Sequence, residues 1–477
     1  MTPAQAGPGD GQAYDGTLTA PQTGTYVIAL RSVGRQSALS VDGAQVLANP
    51  GLRPTTTYSV GVSLRAGQKY AVRVSGGSAA SLSWATPSAL APGIAQAVAA
   101  AKSARTAVVV VSDDTESEAA DRASLNLPSA QNELISAVAA ANPHTVVVID
   151  AGAPVVMPWL GQVASVVDAW YPGESNGTAL AAVLFGQVDP GGHLPVTFPV
   201  DLSQVPESSP AQFPGNGSQV QYSEGVDVGY RWYDANSVAP LFPFGFGLSY
   251  TTFSFSNLQI SPASGSGTQD VQVSATVTNT GMRAGSDVAQ LYLGDPSGAG
   301  EPPRQLAGFQ RVALGAGQSA QVSFTITPQQ ESWWDDSANG WTQTEGTYGV
   351  YLGDSSDPSG LPLSGSYTMA ATPGARQVVI TAPSTMTPGQ ASTVQVQLTA
   401  GGDETLPDAQ LGLQLPQGWT ATAVGSTDFT SVAPGTAPTA TFQVTPPSYA
   451  PNASAIVHAT ATMGSLAREA GVTITVS

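Results

Sequence analysis

Residues 107–131 read AVVVVSDDTESEAADRASLNLPSAQ, and the change of character at Ser112 organises the rest of the chain. The first five residues are apolar, β-branched after the alanine, and preceded by an alanine-rich helical stretch, which predicts a fully buried parallel strand. Asp113, Asp114, Glu116, Glu118, Asp121 and a single Arg122 then crowd together in a chain whose charged residues amount to only 10%. Loops at the carboxyl ends of parallel strands are where α/β sheets gather ligand groups. Ser112 to Gln131 is therefore the candidate functional centre.

The surrounding residues 89–200 alternate strand with helix. Helices are predicted over Ala95–Ala104, Ser129–Ala141 and Gly177–Phe185, and strands over Ala107–Val111, Thr145–Ile149 and Val163–Trp170. That order implies a parallel sheet covered on both faces. Ahead of it, residues 10–88 read as short strands separated by turns, with Asp42-Gly43 a strong hairpin signal. Residues 201–246 are loop-rich, and their aromatic run from Tyr222 to Tyr233 suits stacking on sugar faces as well as packing between domains, with packing the preferred reading. Residues 247–372 alternate as a sandwich of fibronectin type III or immunoglobulin-like kind, and residues 376–477 form a further β-sandwich, with Pro373-Gly374 between them. The fold class is thus multidomain, α/β plus all-β.

Composition narrows the function. A chain of 477 residues with 52 Gly and 37 Pro is too long for one core and rich in turns. Its formal net charge of -18, with Lys69 and Lys102 the only lysines, argues against nucleic acid and anionic membrane as partners. Cysteine is absent and the three histidines, His144, His193 and His458, are scattered, so no metal or other cofactor is expected. No apolar run approaches a membrane span. The opening MTPAQAGPGDGQAYDG lacks the basic start and apolar segment of a secretory signal.

Several phrases carry a resemblance: TESEAADRASLNLPSAQNELI, NPHTVVVIDAGAPVVMPW, AWYPGESNGTALAAVLFGQVDPGGHLPVTFP, YSEGVDVGYRWYD and PLFPFGFGLSYTTF. Together, from about residue 95 to 372, they resemble the C-terminal half of glycoside hydrolase family 3, the β-glucosidase and β-xylosidase family. The resemblance implies an N-terminal (β/α)8 barrel, an α/β sandwich and a fibronectin-like domain, in that order. DGTLTAPQTGTYVIALRS and LSVDGAQV resemble the protective-antigen-type module that some members insert into the α/β sandwich. It reads either as a wall shaping a sugar site or as a spacer. The final segment resembles the sandwich attached to α-galactosidases. The family's nucleophile is an aspartate on the barrel, commonly in Ser-Asp-Trp, and no such tripeptide occurs here. The expectation is therefore an incomplete α/β sandwich within a C-terminal fragment, whose barrel and signal peptide lie upstream or on another chain, and an extracellular or cell-envelope location.

Retaining glycosidases place two carboxyl groups about 5–5.5 Å apart, one as nucleophile and one as acid, then base. The family's acid/base glutamate, commonly in Ser-Glu-Gly-x-Asp-Arg, falls by resemblance on Glu118 of Ser117-Glu118-Ala119-Ala120-Asp121-Arg122. Glu116 is the runner-up in register. Ala119 departs from the family's glycine, so the loop differs if that position needs φ > 0. The like charges of Glu116, Asp113 and Asp114 favour a raised acid pKa, and Arg122 opposes it. Asp121 and Arg122 support the loop, pairing with each other as one option. Trp159, Trp170 and Tyr171 read as packing, the cluster Trp333, Trp334 and Trp341 as packing in preference to a carbohydrate-stacking patch, and His193 in GGHLP as structural. The implied activity is retaining hydrolysis of β-linked glucosides or short oligosaccharides, this chain alone being inactive; the rival reading is a non-catalytic carbohydrate-binding assembly.

Overall fold

In the computed structural model the described residues are 14–477 without 34–36, 50–54, 77–79, 114–121, 123, 208, 210, 214, 216–218, 266, 268, 337–339, 370–377, 400–404, 406–407, 434, 450–452 and 464–465. The chain divides into two compact units. Residues 1–188, 197–221 and 240–242 make one, and 189–196, 222–239 and 243–477 the other.

The first unit opens with a β-sandwich of β1 (Tyr14–Thr19), β2 (Gly24–Val33), β3 (Ser37–Val41), β4 (Ala44–Asn49), β5 (Thr55–Leu64), β6 (Lys69–Gly76) and β7 (Ala80–Ala85). One sheet has the order β1-β6-β3-β4 and the other β5-β2-β7. Tyr26, Ile28, Leu30 and Leu39 are fully buried between them, as period-2 alternation requires. Asp42 and Gly43 take φ of 49° and 83° and join β3 to β4, the left-handed pair that a tight hairpin turn needs.

Then follow α1 (Pro87–Ser103), β8 (Ala107–Ser112), α2 (Gln131–Ala141), β9 (Thr145–Asp150), β10 (Ser165–Asp168) and α3 (Asn176–Leu184). Proline at the first turn, behind Thr86, starts α1 earlier than the alanine run alone suggests. Asn142 donates to the carbonyls of Ala101 and Ala104, 3.0 Å each, and so ties the end of α1 to the end of α2. The three strands are parallel, in the order β10-β9-β8.

One expectation fails here. The β8 strand is not fully buried, because Val108 and Val110 are 48% and 56% exposed while Ala107, Val109 and Val111 face the core. As the edge strand of a three-stranded sheet, β8 is covered on one face only. A hollow of about 380 Å³, lined by Ala97, Ala100, Val108, Val110 and Leu134, runs along this edge.

The second unit contains α4 (Tyr230–Asn236), β11 (Phe253–Ser261), β12 (Ser264–Gly265), β13 (Val271–Asn279), β14 (Gly285–Gly294), β15 (Gln305–Leu314), β16 (Ser319–Ile326), β17 (Ser332–Asp335), β18 (Gly340–Gln343), β19 (Gly346–Gly353) and β20 (Leu363–Met369). Sheets β11-β13-β16 and β12-β20-β19-β14-β15 close over a core that includes Val277, Leu291 and the stacked Tyr348 and Tyr367. The last sandwich is built from β21 (Val378–Thr381), β22 (Thr385–Met386), β23 (Ser392–Leu398), β24 (Ala409–Gln414), β25 (Thr420–Val424), β26 (Asp428–Phe429), β27 (Thr439–Thr445), β28 (Ala453–Met463) and β29 (Leu466–Val476). Its larger sheet incorporates the β17–β18 hairpin through a pairing of Gly340 with Ala470. No described helix is long and apolar enough to cross a membrane.

Candidate active site

The carboxyl ends of β8, β9 and β10 carry Asp113, Asp150 and Asp168. Parallel register sets Ser112 beside Asp150 and Asp168 beside Ile149, so these ends lie along one edge. Glu118, Glu116 and Asp121, together with Asp114 and Ala119, lie outside the described residues. What is described is the base of their loop.

That base is tied several ways. The Asp113 backbone N–H donates to the Asp150 carbonyl at 3.0 Å, continuing the ladder past the strand end. Arg122 Nη2 meets Asp113 Oδ2 at 2.8 Å, with the two side chains only 9% and 1% exposed. Arg122 Nη1 also donates to the Pro154 carbonyl at 3.0 Å. A charge pair this deeply buried is sustained by such added bonds. Asp113 is thus the described carboxylate on Arg122, and the two charges meet at the loop base.

Further out, Gln131 at the start of α2 grips Ser112: its Oε1 accepts from the Ser112 N–H at 2.9 Å and its Nε2 donates to the Ser112 carbonyl at 2.8 Å. The Val156 N–H donates to the Leu125 carbonyl at 2.9 Å, and Leu127 and Val155 are buried at the same place. The segment 114–121 therefore begins and ends on a fixed frame.

The first β-sandwich braces that frame. Ser59 and Ser129 share a hydroxyl hydrogen bond of 2.8 Å, and Thr25 donates to Glu133 on α2. Gly61 lies against the Ser129 carbonyl so closely that a Cβ would overlap it. A side chain there would push β5 away from the chain that re-enters α2.

Three contributors escaped the sequence reading. Tyr171, expected in the core, is 54% exposed, and its hydroxyl donates to the Asp113 carbonyl at 2.5 Å. The cause is Trp170, whose φ of 54° turns the chain sharply after β10, with its N–H on Asp168 Oδ1 at 3.2 Å. A bulky residue in that region is strained, and such strain gathers at functional sites. Trp170 itself packs edge-on against Phe198, and Trp159 is fully buried, its indole N–H on Asn132. Asp150 receives a hydrogen bond from Asn176 at 3.2 Å, and its other oxygen is buried without a hydrogen-bond partner among the described residues. The one available signal was an acid closing the apolar run TVVVID. No group of three or more potential metal ligands occurs among the described residues.

In the second unit His193 is buried, with Nε2 3.1 Å from Asp287 and Nδ1 against the Gly245 and Asp354 carbonyls. Burial disfavours its charge, but Asp287 and Gly245 outweigh that and hold its pKa above the ordinary value.

Comparison with known proteins gives this geometry a setting. Residues 3–250 match the glycosyl hydrolase family 3 C-terminal domain, residues 287–356 a fibronectin type III-like domain, and residues 386–464 the NPCBM-associated, NEW3 domain of alpha-galactosidase. Thermostable beta-glucosidase B of Acetivibrio thermocellus is 41% identical over 266 residues, covering 55% of this chain and 35% of the relative. A probable beta-glucosidase I of Aspergillus terreus is 36% identical over 373 residues, covering 71% and 44%. The crystal structure of DesR, a beta-glucosidase from Streptomyces venezuelae in complex with D-glucose, superposes with a TM-score of 0.62 at 38% identity, covering 76% of this chain and 47% of that one. The chain thus spans less than half the length of these relatives.

Proposed function

The chain belongs to glycosyl hydrolase family 3, through that family's C-terminal domain, and from this we propose that it supplies the acid/base side of a retaining β-glucosidase site, with Glu118 as the acid/base. The observation that carries the reading is the buried Asp113–Arg122 pair closing the base of segment 114–121. A proton donor must be held within hydrogen-bond reach of the leaving oxygen. Fixing both ends of a short acidic segment on a rigid strand edge is what makes that possible.

Glu118 protonates the glycosidic oxygen as the C–O bond breaks and a carboxylate nucleophile bonds to the anomeric carbon. In the second step the Glu118 carboxylate takes a proton from the water that displaces that nucleophile. Asp121 and Arg122 hold the loop. The ring of Tyr171, exposed at the same edge, offers an apolar surface to a pyranose. The nucleophile comes from polypeptide outside this sequence, a reading supported by Val108 and Val110, which leave the β8 edge open to further packing. The substrate is a β-linked glucoside or short oligosaccharide, handled outside the cell.

The test compares the chain alone with the chain joined to a family 3 barrel, on aryl β-glucosides. Turnover is expected only from the joined protein, and turnover by the chain alone would sink the divided-site reading. In the joined protein Glu118→Ala slows poor leaving groups far more than activated ones, and with an activated glucoside azide restores the rate by attacking the glycosyl-enzyme in place of water, needing no base and leaving as a β-glucosyl azide. Were Glu116→Ala to behave this way and Glu118→Ala not, the acid/base would be Glu116.

A further inference from the structure

The β17–β18 hairpin places Trp334 directly opposite Trp341. Their rings meet edge to face at 5.7 Å and 84°, and Trp334 stays 38% exposed. Trp333, on the same strand, is pinned by its indole N–H to Thr344 Oγ1 at 2.9 Å. All three line an open cavity of about 430 Å³, within the range of roughly 300–1,000 Å³ that small-molecule sites occupy.

The other wall is polar. Asp295, Glu301 and Gln305 line it, with Gln305 Nε2 donating to Glu301 Oε2 at 2.9 Å. Arg231 Nη1 in turn donates to Gln305 Oε1 at 3.4 Å. Burial, and then the charge of Glu301, push the Asp295 carboxyl up to about 6. Near neutral pH it remains mainly a carboxylate, an acceptor for sugar hydroxyls.

We propose that this cavity is a carbohydrate site in its own right, which binds a neutral pyranose oligosaccharide by stacking on Trp334 and Trp341 and hydrogen bonding to Asp295 and Glu301. A sugar ring has an apolar C–H face and a rim of hydroxyls that both donate and accept, and the cavity pairs indole surface with carboxyl groups in the same way. Arg231, which donates to the Gln305 side chain, sets a positive charge beside the Gln305–Glu301 arm and so favours a neutral ligand over a cation. The site needs no nucleophile and no hydrolysis, so it stands or falls independently of Glu118.

The experiment titrates the chain with cellotriose, laminaritriose and xylotriose, following tryptophan emission and heat, with chitosan trimer as the cationic comparison. Saturable millimolar binding of at least one neutral trisaccharide is expected, weakened roughly tenfold by Trp334→Ala, the loss of one stacking partner. Asp295→Ala weakens it comparably, and Trp334→Tyr, which keeps an aromatic face, restores most of it. Near-ultraviolet circular dichroism checks that each variant is folded. Absence of binding by all three neutral sugars, binding of the chitosan trimer alone, or undiminished binding in Trp334→Ala or Asp295→Ala overturns the proposal.

Discussion

Arg122→Ala would strip the cation from a carboxylate that is 1% exposed. Breaking such a pair from one side leaves a buried charge without its counter-ion, and the expected loss is about 3–5 kcal/mol in urea unfolding. Asp113→Leu combined with Arg122→Met removes both charges and should cost clearly less than the single change. If the single and double variants lose the same stability, the pair is not what holds the loop base. At this scale the sequence showed the cluster but not its partition. The sequence offered Asp121 as one partner for Arg122, and the fold brings Asp113 and the Pro154 carbonyl to it. The exposure of Tyr171 was hidden for a similar reason, since it follows from the φ of Trp170.

At the scale of elements, the strands were legible because alternation with period two is written locally. Val271–Asn279, Ser319–Ile326 and Ser392–Leu398 each carry that alternation into their burial. The β8 strand misled because an unbroken valine run describes a strand with two apolar faces, not whether neighbours cover both. The seating of the first sandwich on the start of α2 had no sequence signal beyond an unremarked glycine. Gly61→Val should drive a side chain into the Ser129 carbonyl and cost about 1–3 kcal/mol. Gly161→Ala, with nothing within 4 Å, should stay within about 0.5 kcal/mol. Equal midpoints for the two variants in chemical denaturation would mean that β5 does not rest on Ser129.

At the scale of the molecule, the second unit joins two sandwiches that the sequence presents as separate. Arg468 of β29 is 2% exposed and donates from Nη1 to Ser332 Oγ on β17 at 2.9 Å. Beside it Glu331, 1% exposed, accepts from Tyr367 at 2.8 Å and from Gln343 at 3.2 Å. Arg468→Met is expected to split the unit's calorimetric unfolding, with the last sandwich melting first at a cost of about 1–3 kcal/mol. A single unshifted transition would show that the shared sheet, not this side chain, couples the sandwiches. By itself the sequence determined that the chain is mostly β with a parallel sheet, that an acidic segment follows one of those strands, and the family, because propensity, periodicity and motif are properties of neighbouring residues. The tertiary structure decided that Asp113 meets Arg122, which face of β8 stays bare, that three tryptophans line a cavity, and that two sandwiches share a sheet. Burial and charge pairing depend on residues far apart in the chain, whose approach no local pattern records. In segment 112–131 this means that the sequence proposes the acid, while the fold supplies the frame that would hold it.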